Sequence, residues 1–242
     1  MIRLDKYLAD MGIGTRSEVK NIIRKKQVRI NGILVSKPET KVDITKDTVC
    51  YQGKPVTYEP YVYYMLNKPG GCVSAVKDNL YPTVLSYIEN PKGYDLFPVG
   101  RLDLDTEGLL LITNDGELSH ELLSPKKHVT KTYFARIQGR VTEEDVTRFS
   151  LGLDIGEEKP TLPATLVIEK SDDISEIRVS ITEGKYHQVK RMFEAVGKRV
   201  LFLKRLSMGS LQLDEALTPG TYRALTKEEL SALKNQKNIE EK

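Results

Sequence analysis

The stretch Gly100-Arg101-Leu102-Asp103-Leu104-Asp105-Thr106-Glu107-Gly108 runs straight into Leu109-Leu110-Leu111-Ile112. A short, unbroken apolar run that follows polar residues predicts a buried strand. Such a strand requires a core around it. The residues just before it then sit on a loop held by a rigid scaffold, where catalytic groups concentrate. That loop carries an arginine, several carboxylates and two glycines. The plainer reading is that Asp103 and Asp105 only shape a turn, because Asp bonds its own backbone there. The rest of the chain has to decide between the two.

A length of 242 residues suits one larger domain, or a small one joined to a medium one. Hydrophobic residues make up 39%, enough to build a core. No window approaches the roughly 18 apolar residues of a membrane span. The first residues, Met1-Ile2-Arg3-Leu4-Asp5-Lys6, are charged and lack the apolar centre of a signal peptide, so a cytoplasmic protein is expected. The two cysteines, Cys50 and Cys72, have no metal-ligand spacing and are expected to be buried, reduced thiols. His120, His128 and His187 are scattered, and no zinc motif is present. The net charge of +3 hides an asymmetry: residues 1–59 hold 12 Lys/Arg against 7 Asp/Glu (+5), and the remainder 25 against 27 (−2). A small basic head on a nearly neutral body points to an anion-binding module.

The head reads as a short helix over 3–10, with Leu4, Tyr7, Leu8 and Met11 on one face, ended by Gly12 and Gly14. Thr15-Arg16-Ser17-Glu18 fits a capping box and opens a second helix with Val19, Ile22 and Ile23 as its stripe. Val28 to Val35, broken by Asn31-Gly32, predicts a hairpin, and strand-like residues continue to Val56. The pair Gly12 and Gly14 hints at a dinucleotide fingerprint. However, Ser17 takes the third glycine position and a helix precedes it, so that reading fails.

Glu59-Pro60 is the expected linker. Beyond it, strands are predicted at 62–66, 109–113, 129–138, 165–170 and 174–182. Helices are predicted over 82–88, from the Asp115 cap through Leu123, from Thr142, from His187 to Val196 and from the Thr226 capping box. The stretch 152–162 reads as a turn-rich hairpin, and 235–242 as a polar tail. The order of strands and helices shows no regular alternation, which argues for an α+β fold with a mixed sheet.

The head resembles the S4 RNA-binding domain over roughly residues 1–48, on Arg3-Leu4-Asp5-Lys6-Tyr7-Leu8, Thr15-Arg16-Ser17 and Val28-x-Ile30-Asn31-Gly32. The segment at Asp103 resembles the Gly-Arg-Leu-Asp-x-x-Thr-x-Gly signature of the RsuA-type pseudouridine synthases, which isomerise a uridine in ribosomal RNA. Lys131-Thr132-Tyr133 and Glu183-Gly184-Lys185-Tyr186-His187-Gln188-Val189-Lys190-Arg191-Met192-Phe193 complete the match, which covers most of residues 60–230. The implied organisation is an S4-like αα-hairpin domain (1–59), a two-lobed mixed or antiparallel-sheet catalytic domain (60–234) and the tail (235–242).

The resemblance makes Asp103 the essential carboxylate, either the nucleophile at C1′ or the base at C2′. It makes Lys190 the partner of Asp103, standing where the wider superfamily usually has arginine, with Arg191 as the fallback. It makes Tyr133 the active-site ring that stacks on the extruded base. Lysine keeps the charge of arginine but loses its bidentate fork. Arg3, Arg16, Ser17, Lys20, Arg24 and Lys25 are the expected RNA contacts of the head, with Arg101 and Arg191 in the larger domain. Arg101 either helps extrude the nucleotide or pairs with Asp105 or Glu107. The isomerisation gains no atoms and changes no oxidation state, so neither metal nor organic cofactor is required. The His187-to-Phe193 form implies the small-subunit enzyme, acting on 16S rRNA, or on an assembly intermediate, at the uridine conventionally numbered 516. A monomer is expected. The alternatives are a 23S rRNA synthase of the same family and a non-catalytic S4 assembly factor.

Overall fold

The computed structural model describes residues 1–90 and 93–235. They form two compact units: Met1–Val62 with Asn90–Asp95, and Tyr63–Glu89 with Leu96 onwards. No helix among the described residues is long and apolar enough to cross a membrane.

In the first unit, helices Leu4–Asp10 and Arg16–Arg24 pack against short strands. Leu4, Tyr7, Leu8, Val19 and Ile23 fill the core with Val28, Val42 and Val49. The capping box forms as the sequence predicts. Glu18 N–H donates to Thr15 Oγ1 at 3.3 Å, and Thr15 N–H donates to Glu18 Oε2 at 2.7 Å. Val28–Ile30 and Ile33–Val35 make the hairpin, with Asn31 at φ 51° and Gly32 at φ 81° in the left-handed turn that Asn-Gly favours. Val49–Tyr51 pairs on the other side of Val28–Ile30.

The second unit is organised by a mixed sheet of nine strands. Along its main path run Thr165–Lys170, Ile174–Ile181, Lys131–Gln138, Arg199–Met208, Glu107–Thr113, Tyr63–Lys68 and Tyr222–Ala224. Glu107–Thr113 is the strand expected after the signature, and Leu109, Leu110, Leu111 and Ile112 are all fully buried. All the named pairings are antiparallel except one short parallel junction, where Lys204 lies beside Glu107 and Arg205 beside Gly108. Gly108 has φ +100°, and a Cβ there would come within 2.2 Å of the Arg205 carbonyl oxygen. Only glycine lets the two backbones approach so closely.

Several expectations are corrected. The ten-residue strand Arg199–Met208 is absent from the sequence reading, although it joins the two halves of the sheet. Its centre is Lys204-Arg205, a charged pair that hides its alternation. The stretch 152–162 has no strand ladder; Thr161 N–H donates to Leu153 O at 2.8 Å and the rest is irregular, with a bend over 156–159. The helix expected over 82–88 is one 3-10 turn, Val84–Tyr87. Cys72 is buried but Cys50 is only half-buried. The tail lies outside the described residues from 236 onwards.

Candidate active site

Asp103 sits on the loop entering Glu107–Thr113, and hydrogen bonds to the loop's backbone immobilise it. Lys68, fully buried at the end of Tyr63–Lys68, donates to Thr106 O at 2.8 Å, Pro69 O at 3.0 Å and Leu104 O at 3.3 Å. Its three protons therefore have three acceptors. Burial pushes the Lys68 ammonium below the usual lysine range, partly offset by Cys72 and by the carboxylates of Asp105, Asp103 and Glu107. On the other side, Leu102 N–H donates to Ser74 Oγ at 3.0 Å, and Gly71 N–H to Leu104 O at 2.8 Å. Sequence reasoning missed the roles of Lys68 and Ser74. The signal for Lys68 was a lysine closing a largely apolar strand, immediately before a Pro-Gly-Gly turn.

The helix Gln188–Ala195 brings a cation to the carboxylate. Its start is held by Gln188, whose Oε1 accepts from Lys185 N–H at 2.8 Å and whose Nε2 donates to Glu183 Oε1 at 2.9 Å. Lys190 Nζ lies 2.6 Å from Asp105 Oδ1 and 3.4 Å from Asp103 Oδ2. The lysine thus bridges both carboxylates of the signature and is closer to Asp105. Burial works against ionisation of Lys190 and Asp105 alike. Their mutual hydrogen bond and the attraction of the surrounding opposite charges together outweigh it, so Lys190 lies above its usual range and Asp105 below its own. His187 Nε2 is 3.6 Å from Asp103 Oδ1. The sequence reading gave this histidine no role in the site, because its left-handed backbone at φ 49° and its place on the helix cap are invisible in one dimension.

The pair is less enclosed than a dry cleft would make it. The Asp103 side chain is 26% exposed and that of Asp105 is 72% exposed. Arg191 does not compete for Asp103. It is directed to Glu157 Oε1 at 2.6 Å, to Tyr186 O at 3.1 Å and to the carbonyl of Ile155. Adjacent helical residues point about 100° apart, which separates Lys190 from Arg191.

A cleft of about 970 Å³ opens beside these groups, and Asp103, Tyr133, His187, Arg101, Lys131 and Arg205 are among its lining residues. Tyr133 is 8% exposed on the strand Lys131–Gln138, with its neighbour Arg205 on Arg199–Met208. Arg101 is exposed, and neither Asp105 nor Glu107 pairs with it among the described residues; Lys190 holds Asp105 instead. Tyr186, 70% exposed, stacks on His187 with ring centroids 3.9 Å apart.

In the first unit, Arg16, Ser17, Arg24 and Lys25 are exposed on the second helix and Lys20 is half-buried. At the start of this helix the capping box is closed, with Glu18 accepting from the Thr15 amide. Charge there comes from the side chains of Arg16 and Lys20. Arg3 forks onto Asp5, Nε to Oδ1 at 3.0 Å and Nη2 to Oδ2 at 2.7 Å, which directs much of its donor capacity inwards.

This geometry has counterparts in known proteins. Residues 2–57 match the S4 domain model, and residues 62–195, more than half the chain, match the RNA pseudouridylate synthase model. An uncharacterized RNA pseudouridine synthase of Bacillus subtilis is 46% identical over 234 residues, covering 96% of this chain and 98% of the relative. Ribosomal small subunit pseudouridine synthase A of Salmonella typhimurium is 40% identical, covering 96% of this chain and all of the relative. A pseudouridylate synthase crystal structure superimposes with a TM-score of 0.67 at 40% identity, covering 96% of this chain and all of that one. With the signature carboxylate and the buried tyrosine lining one cleft and a lysine beside that carboxylate, the chain belongs to the RsuA-type RNA pseudouridine synthases, isomerases that act on RNA and carry an N-terminal S4 domain.

Proposed function

We propose that this enzyme isomerises one uridine of 16S rRNA, at the position conventionally numbered 516, either in the RNA itself or in a small-subunit assembly intermediate. The observation that carries this reading is the end-to-end similarity to ribosomal small subunit pseudouridine synthase A, 40% identical with all of that relative covered. We further propose that it works as a monomer in the cytoplasm.

Asp103 is the reacting carboxylate. It either attacks C1′ or removes the C2′ proton, and both routes need it ionised at the moment of reaction. Lys190 and His187 support that reading by placing positive charge or a hydrogen-bond donor within 3.4 Å and 3.6 Å of its oxygens. Tyr133 stacks on the flipped uracil, a contact worth about 1–3 kcal/mol. Arg101, exposed at the same cleft, contacts the RNA backbone. The exposed face of Arg16, Ser17, Arg24 and Lys25, with Lys20, supplies affinity that does not depend on sequence. Arg3 and Arg191 contribute less, since their guanidinium groups already serve Asp5 and Glu157. The reaction conserves every atom and electron, so the chain's own groups suffice without a cofactor.

The test is pseudouridine mapping in ribosomal RNA from a strain lacking the gene. Loss of a single 16S modification, restored by the wild-type gene but not by Asp103→Asn, is the expected result. Loss of a 23S modification would overturn the substrate assignment, and an unchanged map would overturn the catalytic one.

A further inference from the structure

The strand Arg199–Met208 carries a cation into the cleft for which the scheme above has no task. Arg205 is only 3% exposed, and no carboxylate pairs with it among the described residues. Its Nε donates to Leu109 O at 2.7 Å, while its Nη2 is buried with no acceptor. A buried, uncompensated guanidinium is costly, and a group left so implies a ligand that completes it. Lys131 lines the same cleft and has no ion-pair partner among the described residues either. Burial, and then the charge of Arg205, hold its ammonium below the usual lysine range.

The two cations flank the tyrosine. Tyr133 lies directly across from Arg205 on the neighbouring strand. Lys131 precedes it by two residues, which in a strand puts both side chains on one face. Depth then separates the base from the phosphates. Arg205 and Tyr133 are enclosed at the floor of the cleft, whereas Arg101 and Tyr186 are exposed. A nucleotide that enters base first leaves its phosphates among the exposed groups and brings its ring to the enclosed ones.

We propose that Arg205 and Lys131 bind the O2 and O4 oxygens of the target uracil and stabilise the uracil anion formed during isomerisation. The inference rests on Asp103 being the reacting carboxylate. When the N1–C1′ bond breaks, its electron pair stays on uracil, which becomes a monoanion with charge spread over N1, O2 and O4. Asp103 either forms an ester at C1′ or takes the C2′ proton to leave a glycal. After the ring turns, C5 bonds to C1′, Asp103 is released in its original state, the C5 proton is lost and N1 gains one. Fixed cations aimed at the developing charge lower the barrier to bond cleavage more than they tighten ground-state binding.

The full-length enzyme is assayed under single turnover on target RNA carrying either uridine or 5-fluorouridine; the fluorinated ring has no C5 proton to lose, so conversion on both RNAs is read as disappearance of the N1-linked nucleoside by mass spectrometry of nuclease digests. Fluorine makes the departing uracil a better anion and should substitute in part for the missing cation. Arg205→Gln should slow the uridine reaction by about a hundredfold. Its loss on 5-fluorouridine RNA should shrink to about tenfold, while RNA affinity stays within about threefold of wild type. Lys131→Gln should show the same narrowing with a smaller loss, and it carries the test if circular dichroism shows Arg205→Gln misfolded. Equal losses on the two RNAs would overturn the proposal. A loss lying in affinity and in its salt dependence would also overturn it, by assigning the cations to a phosphodiester. Asp103→Asn is assayed alongside. Turnover surviving that change would refute the role of Asp103, whereas the fluorine effect is read with the carboxylate intact.

Discussion

At the scale of single residues, the site is a lysine shared between two carboxylates. Asp103 is more enclosed than Asp105, and it faces the cleft from a loop fixed by Lys68 and Ser74. Asp103→Asn should abolish pseudouridine formation with RNA affinity nearly unchanged. A rate within tenfold of wild type, about 1.4 kcal/mol of barrier, would remove Asp103 from the mechanism. Asp105→Asn should keep most activity, because Lys190 then turns wholly to Asp103. Lys190→Met should reduce turnover strongly but stability by only about 1 kcal/mol or less, since the pair is partly exposed and water screens it. The Lys190–Asp105 interaction is present above the ordinary aspartate range. It is lost as pH falls through the lowered value of Asp105, and again as pH rises through the raised value of Lys190. The stability gap between wild type and Lys190→Met, measured by urea unfolding, should therefore be flat from about pH 5 to 9 and close in acid.

At the scale of elements, one parallel contact makes the cleft. Glu107–Thr113 delivers the Asp103 loop, and Arg199–Met208 delivers Arg205; the parallel ladder between them is two pairs long, Lys204–Glu107 and Arg205–Gly108. Gly108→Ala places a methyl group 2.2 Å from a backbone oxygen at a φ of +100°. Neither backbone can yield without opening the sheet, so the cost should exceed about 4 kcal/mol. Denaturant unfolding, or recovery of only insoluble protein, checks this. Gly116→Ala at the start of Gly116–Leu123, where a Cβ meets nothing within 4 Å, is the control and should be near neutral.

At the scale of the whole molecule, there are two compact units, each with its own core, and the proposed scheme assigns affinity to one and chemistry to the other. Replacing Lys20, Arg24 and Lys25 together by alanine should weaken RNA binding. It should also flatten the plot of log K against log salt by roughly 0.7–0.9 per contact removed. Turnover at saturating RNA should be unchanged, because none of the three lines the cleft. An unaltered salt slope would show that this face is only solvated.

The features legible in one dimension were local ones. The capping box at Thr15, the Asn31-Gly32 turn, the buried strand after the signature and the helix face of Val189, Met192 and Phe193 depend on residues within a few positions of each other. The family resemblance also marked Asp103, Tyr133 and Lys190 as one set. The strand Arg199–Met208 escaped because its charged centre has meaning only beside Gly108 and Tyr133, neighbours far away in sequence. The same holds for Lys68, whose acceptors reach to Thr106, for the preference of Lys190 for Asp105, and for the turn of Arg191 towards Glu157. Local hydrogen bonds and side-chain periodicity act through sequence neighbours, so the sequence alone determined them. The burial of a charge and the partner it finds depend on which distant segments close over it, and only the tertiary structure decided those.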